Sequence, residues 1–180
     1  MRLRNGQNYT RQVTTSEVQP EPASPGARTE ADPTTAVQAG LRDAALIAAR
    51  VSADEAAADA ERTRLSSEPL PMVVDEVEPS VQLWTDEVVH AIRRAAMMEV
   101  GGQGGQSGGT LFLTSRRLLH IGAQTREVAL GAIAEIAVAL ERLLLLDLTD
   151  GSDLAIEVDQ PRLLRVQLAA ARAAAREQMT

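Results

Sequence analysis

Apolar residues are spread unevenly along this chain, and the unevenness divides it. Residues 1–35 are rich in Pro, Thr, Glu, Ser and Gln and hold hardly a large apolar side chain. Such a segment buries too little surface to offset the entropy of ordering it, so a disordered tail is predicted. Residues 36–64 turn Ala-rich, with Leu41, Ala45, Ala48 and Ser52 at helical spacing and acids interleaved with Arg50, Arg62 and Arg64. Alanine is the best helix former, and a helix is predicted here. Its large apolar members are only Leu41, Leu46, Ile47 and Val51. A face that thin suits a helix that floats free of the folded unit or docks on a partner. Residues 65–80 read as a linker, because Pro69, Pro71 and Pro79 stop a helix and the acids of 75–78 keep the stretch solvated. The folded unit is expected over residues 81–180.

Within that unit the pattern shortens to alternation. Residues 110–114 and 117–121 read as two strands joined by a polar turn, with Leu111 and Leu113 on one face and Phe112 and Thr114 on the other. Further strands are predicted at 126–130, 133–138, 143–149 and 153–158, with Gly131 as a break and Asp150-Gly151 as a hairpin signal. Residues 84–100 are ambiguous, since Val88, Ile92, Ala95 and Ala96 share one side of a helix. A terminal helix is predicted from Pro161, with Asp159 or Gln160 near its cap and Leu164, Leu168, Ala171 and Ala175 on one stripe. The alternation points Leu111, Leu113, Leu118, Ile156, Leu164 and Leu168 inwards and leaves Phe112 nearer a surface or partner contact.

The run Gly109-Thr-Leu-Phe-Leu-Thr-Ser-Arg-Arg-Leu-Leu119 resembles the second and third strands of GRAM and bacterial pleckstrin-homology-like domains. The resemblance extends over 81–177 and implies that 84–100 holds the opening strand, with Glu87-Val-Val as the acid and apolar run before a glycine-rich loop. It further implies a mainly β fold, a seven-stranded barrel capped by the C-terminal helix, that binds and does not catalyse.

Composition narrows the chemistry. There is no cysteine and not one lysine among the 18 cationic residues, which removes disulfides, thiolate metal sites, the lysine of a phosphate-binding loop and Schiff-base chemistry. A net charge of −7 and an aromatic content of 2% argue against a nucleic-acid partner, which wants a basic field or a stacking platform. No apolar run approaches a membrane span and no apolar segment follows the first arginines, so a cytoplasmic protein is expected.

Candidate sites are few. The loop 101–109 fails the dinucleotide fingerprint, with Ser107 where a third glycine is needed, and reads as a flexible hairpin. Arg116 and Arg117 at the second turn suit an anionic lipid or an acidic partner, or else form a solvated turn with one stem across the barrel rim. Arg162, Arg165, Arg172 and Arg176 fall within one sector of the terminal helix and suit phosphates or an acidic segment, or else form a solvated face. His90 and His120 lack a second ligand at metal spacing, and no nucleophile–base set or carboxylate pair emerges. No cofactor, metal or catalytic residue is expected. The function expected is a non-catalytic module that docks a protein partner through the barrel edge or helix rim. The alternative is association with anionic lipids at the membrane periphery through the arginines, and the third is a small enzyme reusing the barrel.

Overall fold

The computed structural model describes residues 33–73, 81–101 and 106–177. The tail expected over 1–35 therefore lies outside them except for its last residues, as do the acidic stretch 75–78 and the middle of the glycine loop. The elements are helix α1 (Pro33–Leu65), strands β1 (Val89–Glu99), β2 (Ser107–Thr114), β3 (Arg117–Gly122) and β4 (Thr125–Ala129), a 3-10 turn (Leu130–Ala132), strands β5 (Ile133–Ala139), β6 (Leu143–Leu148) and β7 (Asp153–Val158), and helix α2 (Pro161–Glu177). The mainly β class with seven strands and a C-terminal helical cap is as expected, six of the strands from the alternation and the opening one from the resemblance.

The strands form one antiparallel sheet in the order β4-β3-β2-β1-β7-β6-β5. β1 is its hinge: Val89 to Met97 pair with β2, apart from a bulge at His90, and Ala95 to Glu99 pair with β7. Ladders on both sides satisfy its backbone, which overrides the helical propensity of its Ala and Met residues. The sheet curls until one face of all seven strands meets in a single core, from Ala91 and Leu111 through Val128 and Ile133 to Leu146 and Ile156. No ladder joins β4 to β5, so the barrel is open there, and the 3-10 turn bridges the gap. Gly151, at φ 83°, permits the β6–β7 turn, in which Ser152 N donates to Asp150 Oδ1 at 2.9 Å.

Helix α2 buries Leu164, Leu168 and Ala171 in this core, with Ala175 packed against its margin. The stripe predicted from sequence is thus the face that closes the barrel. Leu168→Ala should cost about 2–5 kcal/mol by leaving a cavity under α2. Arg172→Ala should cost less than about 1 kcal/mol, since Arg172 only lends Nη2 to the Ala134 carbonyl at 3.0 Å on an exposed edge. Urea denaturation of the two variants checks the order, and the reverse order would mean that the buried face of α2 is misassigned.

Three expectations need correction. Gln160 stands at the N-cap position of α2, its carbonyl accepting from Leu164 N at 3.0 Å, but the side chain that satisfies the first free N–H groups comes from another element. Asp54 of α1, 2% exposed, accepts from Arg162 N at 2.9 Å and from Leu163 N at 3.0 Å, so its two oxygens satisfy two orphan donors. The Ala-rich helix therefore does not float free. Ala58 is fully buried, and Gln167 of α2 links Glu61 of α1 (3.2 Å) to Arg93 of β1 (3.0 Å). Asp54→Ala should cost about 0.5–2 kcal/mol and raise the protease sensitivity of α1, with Asp54→Asn retaining part of the cap. Limited proteolysis beside a thermal melt reads both effects, and an α1 equally resistant in Asp54→Ala would contradict the capping role.

The linker, too, is tied to the domain at Leu70, Pro71 and Val73, with residues 66–69 exposed and the acids of 75–78 outside the described residues. Leu70 packs on the core, Val73 N donates to the Val89 carbonyl at 2.8 Å, and His90 Nδ1 lies 2.8 Å from the Pro71 carbonyl, to which it donates. The folded unit begins well before Val81. The third correction concerns Phe112, which is fully buried on the outer face of the sheet with Val89 and Leu119. Val73, Val81 and Leu83 cover that cluster.

Candidate functional site

Among the described residues, the densest polar constellation forms where residues 81–87 cross the outer face of β3 and β4. A tight turn sets it up: Glu87 N donates to the Trp84 carbonyl at 3.1 Å, and Trp84 N donates back to Glu87 Oε2 at 2.8 Å. Asp86 within that turn has φ 62°, a left-handed conformation that costs a non-glycine residue energy and that the surrounding bonds must hold.

Arg117 opens β3 directly beneath. Its Nε and Nη2 meet Glu87 Oε1 and Oε2 at 2.9 and 3.0 Å, a two-pronged pair in which both side chains are all but sealed from water. Nη1 reaches Glu127 of β4 at 2.6 Å, and Nη2 also donates to the Gln82 carbonyl at 2.8 Å. The guanidinium carbon lies 4.2 Å from the centroid of the Trp84 ring. Thr114 completes the cluster: its hydroxyl donates to Glu87 Oε1 at 2.6 Å and accepts from Arg117 N at 2.9 Å. Burial alone would push the Glu87 carboxyl up, but the bonds from Thr114, the Trp84 backbone and Arg117 together hold it below its ordinary 4.5. Burial likewise works against the charge on Arg117, and the bonds to Glu87 and Glu127 outweigh it and raise its pKa.

This corrects the expectation for Arg117, which is not a solvated ligand-binding arginine but the centre of a buried ion pair, 3% exposed. Sequence carried a usable signal in the acid before the first strand and the arginine opening the third, which suit one another in charge. Trp84, the only tryptophan of the chain, passed without notice as a site residue.

In front of the cluster lies an open cleft of about 460 Å³, lined by Gln82, Leu83, Trp84, Thr85, Arg117 and Glu127. Trp84 remains 52% exposed beside it, and the Glu127 side chain 49% exposed. A second cleft of about 430 Å³ runs between the alanine face of α2 (Ala170, Ala171, Ala174) and Leu65, Leu70 and His90.

The remaining predicted arginines do not assemble into one patch. Arg116 is exposed at the β2–β3 turn, where its carbonyl accepts from Leu130 N at 3.0 Å. Arg162 turns towards α1, with Nη1 3.7 Å from Asp54 and Nε 4.0 Å from Glu55. Arg165 is exposed, and Arg172 bends to the β5 edge. Arg176 is exposed and close enough to Arg172 to help burial lower the pKa of the latter. His120, expected to be partly buried, is wholly so, with Nε2 3.3 Å from the Ala95 carbonyl. Among the described residues no cluster of three or more His, Asp or Glu is arranged to hold a metal, and no helix is long and apolar enough to cross a membrane.

The other conspicuous surface is the N-terminal half of α1. From residue 51 onwards the helix has buried or half-buried positions facing the rest of the molecule, whereas residues 37–50 are exposed throughout. Four of its large apolar side chains, Val37, Leu41, Leu46 and Ile47, are thereby left in water.

No protein-family model matches the chain, and no curated protein matches it. Among solved structures, the C-terminal domain of an unknown protein from Leishmania infantum is similar at 10% identity with a TM-score of 0.40, covering 48% of this chain and 86% of that one.

Proposed function

We propose that this protein is a non-catalytic docking module that holds a protein partner on its helical side, through the N-terminal half of α1. The observation that carries this reading is the run of exposed apolar residues Val37, Leu41 and Ile47 on a helix whose other half is clamped to α2. At about 1.5 Å per residue, the part of α1 before Asp54 reaches roughly 30 Å from its anchor. A helix without tertiary packing must pay for its own costly first turn. Continuity with the clamped half supplies the nucleus, so the partner need not provide the ordering free energy, and helix-in-groove recognition is the mode this suits. The seven antiparallel strands with their capping helix, together with the run 109–119, support reading the domain as GRAM-like or pleckstrin-homology-like. The buried carboxylates support the non-catalytic part, because Asp54 and Glu87 are engaged in holding α2 and the segment 81–87.

The test uses the full chain as bait, comparing the wild type with the double variant Leu41→Glu and Ile47→Glu. Circular dichroism and the melting temperature are expected to be unchanged, since both residues are exposed, while a discrete partner is lost by about tenfold or more in capture. Capture unchanged by the double variant would mean that α1 is not the docking surface.

A further inference from the structure

The cleft before Trp84 involves none of the residues of the α1 surface, and its chemistry specifies a different ligand. One face of the indole is occupied by the Arg117 guanidinium, and the exposed remainder of the side chain borders the cleft. Of the two charged groups that line it, Arg117 is sealed and shared between Glu87 and Glu127, meeting Oε2 of the latter at 2.6 Å and leaving its Oε1 open. Glu127 is half in water, and Asp86 is exposed in the same turn. The local count is three carboxylates against one guanidinium, so the field a ligand meets is negative. An indole face presents the negative lobe of its quadrupole, and a neighbouring carboxylate adds to it. Gln82 and Thr85 supply hydrogen-bonding groups on the remaining wall.

The site is also held ready. Trp84 is fixed through its backbone N–H and carbonyl to Glu87, in a turn that tolerates a left-handed Asp86. A large aromatic side chain kept half exposed on a rigid and strained turn is the kind of anchor that dominates protein interfaces. A volume of about 460 Å³ accepts more than one side chain, so a cationic residue enters with its peptide flanks.

We propose that this cleft receives an arginine or lysine side chain from a basic segment of a partner protein, stacked on Trp84 and paired with Glu127. Because Trp84 is the only tryptophan, its emission reports on the site directly. The full chain is titrated with a capped peptide alternating glycine and arginine, and with the same peptide carrying glutamate in place of arginine. The expected result is a saturable change in emission with the arginine peptide and none with the glutamate peptide, weakened as salt screens the charge. Glu127→Gln is expected to weaken binding about tenfold.

Glu127 also touches Arg117, so a second variant is needed that leaves the ion pair alone. Thr85→Lys places a cation on the exposed wall of the cleft and should abolish binding without changing the melt. Calorimetry on Trp84→Leu should show the same loss. The proposal is overturned by a response equal for the two peptides, by no saturable response to the arginine peptide, or by undiminished binding in Thr85→Lys or Trp84→Leu. The first residues of this chain, with Arg2, Arg4 and Arg11 before any acid, are the competing occupant. If replacing those three by glutamine shifts the Trp84 emission of the unliganded full chain, the cleft is filled from within and the assignment to a partner falls.

Discussion

Arg117→Ala is expected to remove about 3–5 kcal/mol of stability, because it leaves a buried carboxylate without its cation. The Glu87 side chain has no exposed surface in the folded protein, so its charge rests on protein partners and not on water. The Thr114 hydroxyl and the Trp84 N–H remain, but two neutral donors do not replace a two-pronged charged one. The loss is mostly the penalty of the stranded charge rather than the net worth of the pair. It follows that replacing both partners, Glu87→Leu with Arg117→Met, should recover much of it, as apolar substitutes for a buried pair often do. Urea denaturation of the single and double variants separates the two terms. A single variant within about 1 kcal/mol of wild type would show that the ion pair is not what fixes residues 81–87 to the sheet.

The same pair sets a pH dependence. Glu87 in the folded protein titrates below its ordinary 4.5, so its contribution is fully present above that value and is lost as pH falls through the lower folded-state value. Wild-type stability should therefore decline in acid below about pH 4.5, where the unfolded chain begins to bind the proton first. In Arg117→Ala the cation is gone and burial dominates, which pushes the carboxyl up. The deficit of the variant should consequently narrow towards low pH. A deficit that stayed constant from neutral pH down into that range would assign the loss to packing of the arginine stem instead.

How much of this was legible in the sequence depended on whether the signal was local. Leu111, Leu113, Leu118 and Ile156 alternate with polar or outward residues, and all four are core residues. β1 was harder for a definable reason. A bulge at His90 shifts its phase, so that Val89 and Ile92 lie on the outer face and Ala91, Ala95 and Met97 on the inner one. The helical stripe of Val88, Ile92, Ala95 and Ala96 mixes the two faces, Ile92 outward and Ala95 inward, and only the pairing with β2 and β7, which no local window contains, decides against it. Phe112 failed for a related reason. Alternation correctly placed it opposite Leu111 and Leu113, but whether that outer face is wet depends on a segment some thirty residues earlier folding back over it. Among the site residues, the arginines were visible as cations, yet their partners were not. Glu87 for Arg117, Asp54 for Arg162 and the Ala134 carbonyl for Arg172 all come from other elements.

Phe112→Ala, the second large effect, should cost about 3–5 kcal/mol, in the range for truncating a fully buried aromatic side chain. A surface phenylalanine would change stability by only about 0.5 kcal/mol either way, so the measurement separates the two placements cleanly. The physical consequence extends past the cavity. Val73, Val81 and Leu83 pack on the cluster that Phe112 anchors with Val89 and Leu119. Near its ends that covering segment has two other ties, the Val73–Val89 backbone bond and the Gln82 carbonyl accepting from Arg117. With the ring removed, residues 81–84 should loosen before the sheet does, because β2 keeps its ladders to β1 and β3. Trp84 emission should then change at a lower urea concentration than far-ultraviolet circular dichroism, whereas in the wild type the two transitions should coincide. Coincident transitions in Phe112→Ala, with the full stability loss, would mean that the segment and the sheet unfold as one unit. A loss within the surface range would mean instead that the covering segment does not bury Phe112 in solution.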